Sequence, residues 1–336
     1  MSKLVILSVF ISAVVAGVVG YGFVHLSKEE VTIIGTEPTP YPTPLARYEI
    51  VNLAKTDIPE GTIEIVDTIK EEEKYISYLF EHKFDPTFST GDEKTVTGQI
   101  NIPKEEGIYP IVFMIRGYVD QSIYETGIGT RTAAAQFAEN GFITIAPDFL
   151  GYGTSSPEAD NIYETRFQTY TTVLSLLSSV EGLTHYDKKN VFLWAHSNGG
   201  QIALTVLAIS EKAFPTTLWA PVTKPFPYSV LYYTDQSADG GRLIRQELAK
   251  LEERYNVNGF TFTNYLDKIK GPLQLHQGGA DDAIPVSWSD SFVAEIRSLN
   301  IEMEYSYYPN ADHNMQPNWN TAIERDMVFF ASNIEK

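Results

Sequence analysis

The apolar run Val191-Phe-Leu-Trp-Ala195 has the length of a strand and ends in His196-Ser197-Asn198-Gly199-Gly200, after which the helical segment Gln201–Ile209 begins at once. A serine between a buried strand and a helix sits on a sharp turn that exposes its hydroxyl. Small residues two places before and after the serine leave room for that turn. Here they are Ala195 and Gly199, so the pattern is A-x-S-x-G. Backbone N–H groups and the helix dipole favour an anion at this point, which suits nucleophilic attack on a carbonyl. The N–H of Asn198 becomes one donor of an oxyanion hole. The competing use of Ser197 is a plain helix cap.

Such a serine needs a base and an acid, and with a nucleophile of this kind the chain order is serine, acid, histidine. His276 and His313 follow Ser197 in the sequence. His276 lies inside an apolar strand and reads as a satisfied core residue. His313 lies in the loop Pro309-Asn-Ala-Asp-His-Asn-Met315 after a strand-like Glu302–Tyr308, where a ring can swing over the serine. The acid is expected at the end of the preceding strand, where Leu273-Gln-Leu-His-Gln-Gly-Gly-Ala-Asp281-Asp282 offers two adjacent carboxylates. Spacing to Gly278 and Pro285 selects Asp281, leaving Asp282 as a solvated loop charge. Asp312 adjoins His313, and sequence neighbours rarely orient each other's rings. His196, on a strained turn, is expected to pack or hydrogen-bond rather than act as base. Ile111–Ile115 runs into Arg116-Gly117-Tyr118, where the glycine admits a close approach and the Tyr118 N–H is the second expected oxyanion donor. Asp148, in Ala146-Pro-Asp-Phe-Leu-Gly-Tyr-Gly153, reads as a structural loop residue.

These groups require a scaffold of buried strands alternating with helices. Strand-length apolar runs fall at Ile111–Ile115, Phe142–Ala146, Val191–Ala195, Thr217–Ala220 and Leu273–His276. Segments of helical period fall between and after them, at 129–140, 161–180, 199–209, 287–299 and 320–333. That alternation predicts an α/β fold, a mostly parallel sheet covered on both faces. Residues 46–104 read as strands and turns, including Tyr75–Phe80 and Thr95–Ile102 around a Gly91-Asp92 turn, and would add an antiparallel edge. An insertion at about 222–265, with a helical stretch at 240–254, follows the strand Thr217–Ala220. It is expected to form a lid, with Tyr228, Tyr232 and Tyr233 lining the substrate pocket, against the alternative of a remote surface helix.

The 23 residues Leu4–Leu26 carry no formal charge and are long enough to span a bilayer, so 1–27 reads as a transmembrane anchor in preference to a cleaved signal. Lys3 ahead of the span leans the catalytic part to the extracytoplasmic side. Residues 28–45 hold prolines at alternate positions and form an extended linker, leaving 46–336 as the catalytic domain. A net charge of −18 repels phosphate backbones, which argues against nucleic acid as a partner. There is no cysteine, which excludes disulfides and thiolate chemistry. No metal or organic cofactor is expected.

Together, Tyr109–Tyr118, Asp148–Ser155, His196–Gly200, Gly278–Asp281 with Pro285, and Asp312-His313 resemble the α/β-hydrolase superfamily. The resemblance is to the catalytic domain of the prolyl oligopeptidase family of serine peptidases and to dienelactone-hydrolase-like esterases, over about 75–333. Arg116 departs from the His-Gly that most relatives carry. The stretch ahead of the domain is too short for the β-propeller of some members. The resemblance implies a serine hydrolase: first a membrane-tethered peptidase cutting short peptides, then a carboxylesterase with the same triad, and last a non-catalytic protein that keeps the fold.

Overall fold

The computed structural model describes residues 43–89, 91–234 and 237–335. The expected anchor at 4–26 and all but the end of the linker lie outside the described residues. Among the described residues, no helix is long and apolar enough to cross a membrane.

Nine strands build one sheet: β1 (Thr62–Glu71), β2 (Tyr75–Phe84), β3 (Lys94–Pro103), β4 (Tyr109–Ile115), β5 (Ile143–Pro147), β6 (Tyr186–His196), β7 (Thr216–Trp219), β8 (Leu273–Gly278) and β9 (Met303–Tyr308). Their spatial order is β1-β2-β3-β5-β4-β6-β7-β8-β9. The first three strands and β5 pair antiparallel, while β5, β4, β6, β7, β8 and β9 run parallel. The main helices are α1 (Arg131–Glu139), α2 (Ile162–Ser179), α3 (Asn198–Ser210), α4 (Arg242–Glu252), α5 (Val286–Ser298) and α6 (Trp319–Ser332).

The central strands are apolar throughout because both faces are covered. Ile111, Phe113 and Ile115 of β4 point into one core with Leu193 and Ala195 of β6, where α2 and α3 pack. Val112, Met114, Phe192 and Trp194 point the other way, into a second core with Phe137 of α1 and Phe330 of α6. The alternation of side chains along a strand thus feeds two layers of helices.

One sequence expectation changes. Residues 44–53 are helical turns, Pro44–Tyr48 and Ile50–Leu53, and not strand or linker. Leu45, Tyr48, Ile50 and Leu53 are all buried, and that burial makes this segment part of the folded unit. The segment after β7, where a lid is expected, is anchored in the core. Leu248, Leu251, Phe260, Phe262 and Leu266 belong to the main core. The Tyr163 hydroxyl donates to the Ile244 carbonyl at 2.9 Å, and Thr261 to the Phe226 carbonyl at 2.6 Å.

Candidate active site

Ser197 joins the end of β6 to the start of α3 with φ 56° and ψ −122°. A side-chain-bearing residue at positive φ is strained, and its neighbours must hold it there. The Ser197 N–H donates to the Trp219 carbonyl at 2.9 Å, and its own carbonyl accepts from Val222 at 2.9 Å and Gly200 at 3.0 Å. β7 and the loop after it therefore clamp the turn. Gly199 lets α3 begin against the end of β4: a Cβ there would lie 2.0 Å from the Ile115 carbonyl oxygen. Gly117 also comes close from the β4 loop, where a Cβ would sit 2.9 Å from Ser197 Cβ and 3.4 Å from its Oγ.

His313 and Asp281 meet directly. Nδ1 of His313 lies 2.9 Å from Oδ2 of Asp281, and since a carboxylate accepts, Nδ1 carries the proton and Nε2 is left as a base. Asp281 Oδ1 accepts from the N–H groups of Ala283 and Ile284, each at 2.8 Å. The Gln277 amide donates to Oδ2 at 3.2 Å. Burial by itself would raise this carboxyl, but the bonds from His313, Ile284 and Ala283 outweigh it and hold Asp281 below its ordinary value. It stays ionised and fixes the ring. Asp282 is exposed. Asp312 shapes the histidine loop instead, accepting from Asn314 at 2.8 Å and Gln316 at 2.9 Å. His276 is fully buried and bonded to Asp326, Gln274 and Tyr308, each at 2.9 Å.

His196 is tied to the histidine loop. Its Nε2 donates to the His313 carbonyl at 3.0 Å, and the two rings are 4.7 Å apart. No hydrogen bond joins Ser197 Oγ to His313 in this structure. The acid–base half of the arrangement is closed and the base–nucleophile half is open, as resting sites often are before substrate draws them together.

Asn198 opens α3, where the first N–H groups have no partner within the helix. Tyr118 is 75% exposed on the loop after β4. Both line one pocket of about 190 Å³ with Gly117. Arg116 holds this loop: it is buried, donating to the carbonyls of Gly117 at 2.9 Å and Asp148 at 2.8 Å. Its guanidinium stacks on Tyr152 at 4.1 Å and Tyr124 at 4.6 Å. Asp148 is likewise buried, accepting from Thr97, Tyr124 and Thr126 at 2.7, 2.7 and 2.9 Å.

Tyr228, Tyr232 and Tyr233 do not line that pocket. They gather on Trp288 of α5, with ring centres 5.9, 4.7 and 6.4 Å away. The Tyr233 hydroxyl reaches the Ala283 carbonyl at 3.2 Å, beside the Asp281 turn. Trp288, Gln277 and Arg166 escaped the sequence reading. A lone cation inside the helical segment 161–180 was the one available signal for Arg166. Among the described residues, no group of three or more metal-ligating side chains comes together.

A family model described as alpha/beta hydrolase fold matches residues 110–215. No curated protein matches the chain. Solved structures resemble it at low identity. Acetyl xylan esterase 1 from Thermoanaerobacterium sp. JW/SL YS485 is 17% identical, with 87% of this chain and 94% of that one covered and a TM-score of 0.61. Est1E from Butyrivibrio proteoclasticus, solved with ferulic acid, is 17% identical over 72% and 97%, with a TM-score of 0.54. An acylaminoacyl peptidase from Pyrococcus horikoshii is 14% identical over 83% and 51%, with a TM-score of 0.55.

Proposed function

The chain has the α/β-hydrolase fold, and from that premise we propose that it is a serine hydrolase working through an acyl-enzyme on Ser197. The observation that carries this reading is the His313–Asp281 pair, bonded at 2.9 Å, together with a half-buried serine strained into a turn at φ 56°. Ser197 Oγ attacks a carbonyl carbon while His313 Nε2 takes its proton. The N–H groups of Asn198 and Tyr118 hold the oxygen that becomes negative. His313 then gives the proton to the leaving group, and water releases the acyl group by the same route in reverse.

The triad serves an ester and an amide alike. The motif resemblance to prolyl oligopeptidase catalytic domains favours short peptides. The length match favours esters: the acetyl xylan esterase is covered over 94% of its length, the acylaminoacyl peptidase over 51%. We place the ester branch first and the peptide branch second. In either, the segment after β7 acts as a lid, its tyrosines and Trp288 flanking the site from the Asp281 side. Leu4–Leu26 anchors the enzyme with its catalytic domain extracytoplasmic. The anchor rests on the sequence, and retention of the full chain, but not of a chain lacking 1–42, in carbonate-washed membranes would support it.

The deciding experiment offers the full chain and its Ser197→Ala variant matched substrates that differ only in an ester or amide at the scissile bond. Ester turnover lost with Ser197 supports the first branch, and amide turnover lost with Ser197 supports the second. Turnover that survives in Ser197→Ala, or a phosphonate probe that fails to label Ser197, defeats the hydrolase reading.

A further inference from the structure

The pocket beside Asn198 and Tyr118 combines apolar walls with charge. Phe149, Leu150, Ile162 and Ile202 form much of its wall, and its volume of about 190 Å³ suits a chain of a few carbons. Arg166, from α2, reaches the same pocket directly behind Asn198. Its Nη2 donates to the Gln201 side-chain oxygen, and its Nη1 makes a long 3.5 Å contact with the Asn198 side-chain oxygen. Its buried Nε–H has no partner.

Both partners are neutral amides. Arg116 also lines the pocket, and its partners too are neutral: two carbonyls and the faces of aromatic rings. Neither guanidinium forms an ion pair with a described carboxylate. Glu158 at the rim is exposed and pairs with neither of them. Arg116 is faced by the buried Asp148 carboxylate across the Tyr124 ring, so in a chain of net charge −18 the positive charge that this partly apolar pocket meets without a counter-ion is that of Arg166.

The pocket also lies on a definite side of the reaction. His313 must hand its proton to the leaving group, so the leaving group lies towards the histidine loop. The pocket is lined by the oxyanion donors and by no residue of that loop. A carbonyl held by Asn198 and Tyr118 therefore directs its acyl substituent into it.

We propose that Arg166 is a specificity-determining residue and that the enzyme prefers acyl groups ending in a carboxylate. A succinyl-like chain is the simplest case. The proposal deepens the serine-hydrolase reading and rests on it. A carboxylate gives the Arg166 guanidinium the charged partner that its amide contacts do not supply. A neutral chain of equal size leaves it unmatched, which is the arrangement that discriminates most sharply.

The test compares monoethyl succinate with ethyl 4-methylpentanoate, a neutral acyl chain of the same shape, reading kcat/KM from ethanol release. The full chain is expected to favour the succinate ester by about tenfold or more, and salt should erode the preference. Arg166→Met should bring the ratio to about one or below, with Arg166→Lys in between. Free succinate should slow labelling of Ser197 by a phosphonate. A wild-type ratio at or below one overturns the proposal. So does a ratio preserved in Arg166→Met while both rates fall together, since Arg166 then only positions Asn198. Should Arg166→Met fail to fold, the Arg166→Lys ratio and the salt dependence decide. If the full chain hydrolyses neither ester while a phosphonate still labels Ser197, this proposal alone falls; if Ser197 is not labelled either, the parent reading falls with it. If the full chain hydrolyses only the neutral ester, this proposal alone falls.

Discussion

His196 Nε2–H donates to the carbonyl of His313 at 3.0 Å, so the residue before the candidate nucleophile holds the backbone of the candidate base. The two are 117 positions apart in sequence. The contact sets where the His313 loop rests relative to the turn at Ser197. Removing it in His196→Ala should let the loop drift, and drift of about 1 Å can cost on the order of 10² in rate. We expect kcat to fall at least tenfold with a smaller change in KM. An unchanged kcat would show that the loop holds itself.

The same histidine should make stability depend on pH. Loss of water around the ring and the neighbouring His313 push its pKa from 6.5 down to about 4. The folded value lies below the unfolded one, so the unfolded chain takes up the proton first as pH falls. The stabilisation is complete above pH 6.5 and is lost as pH falls from there through about 4. His196→Gln keeps a donor but cannot titrate. Its melting temperature should fall less steeply than the wild type's across that window, and parallel curves would refute this.

Asp281 and Asp282 give the cleanest pairwise comparison. Asp281→Asn keeps the shape but offers an amide to His313 Nδ1, which favours the wrong tautomer. A loss of about 10³–10⁴ in kcat is expected. Asp282→Asn, on an exposed carboxylate, should stay near wild type. Steady-state kinetics on one ester decides, and a reversed ranking would reassign the acid.

Gly199→Ala would place a methyl 2.0 Å from the Ile115 carbonyl oxygen, an atom that cannot yield without moving β4. A loss of at least ~3 kcal/mol in urea unfolding is expected. Ala195→Gly relieves no clash, and its cost should be close to the general strand-glycine penalty of about 1 kcal/mol or less. A Gly199→Ala protein as stable as wild type would mean that α3 can start elsewhere.

Arg116→Lys tests the oxyanion loop. A lysine cannot span the carbonyls of Gly117 and Asp148 while stacking on Tyr152 and Tyr124. We expect about 1–2 kcal/mol of lost stability, in line with a desolvated cation–π contact, and a lower kcat as Tyr118 loses its support. Stability lost without any change in kcat would detach Arg116 from the site.

The local pattern of the chain determined most of the scaffold. Each parallel strand from β4 to β8 coincides with an apolar run, because burial on two faces dictates composition residue by residue, β9 with the strand-like Glu302–Tyr308, and each of the six main helices with a helical period or stretch. The turn at Ser197 and the loop at His313 were legible for the same reason, since backbone geometry there demands small or loop-forming neighbours. Residues 44–53 were misread because their burial depends on a distant core. Spacing pointed to Asp281 over Asp282, and the tertiary structure supplied what aims its carboxylate at His313, the N–H groups of Ala283 and Ile284. It alone brought His196 to the histidine loop, Arg116 into its aromatic cage and Arg166 behind Asn198. Those are contacts between side chains far apart in sequence, and no local periodicity encodes the direction in which a side chain points across a folded core.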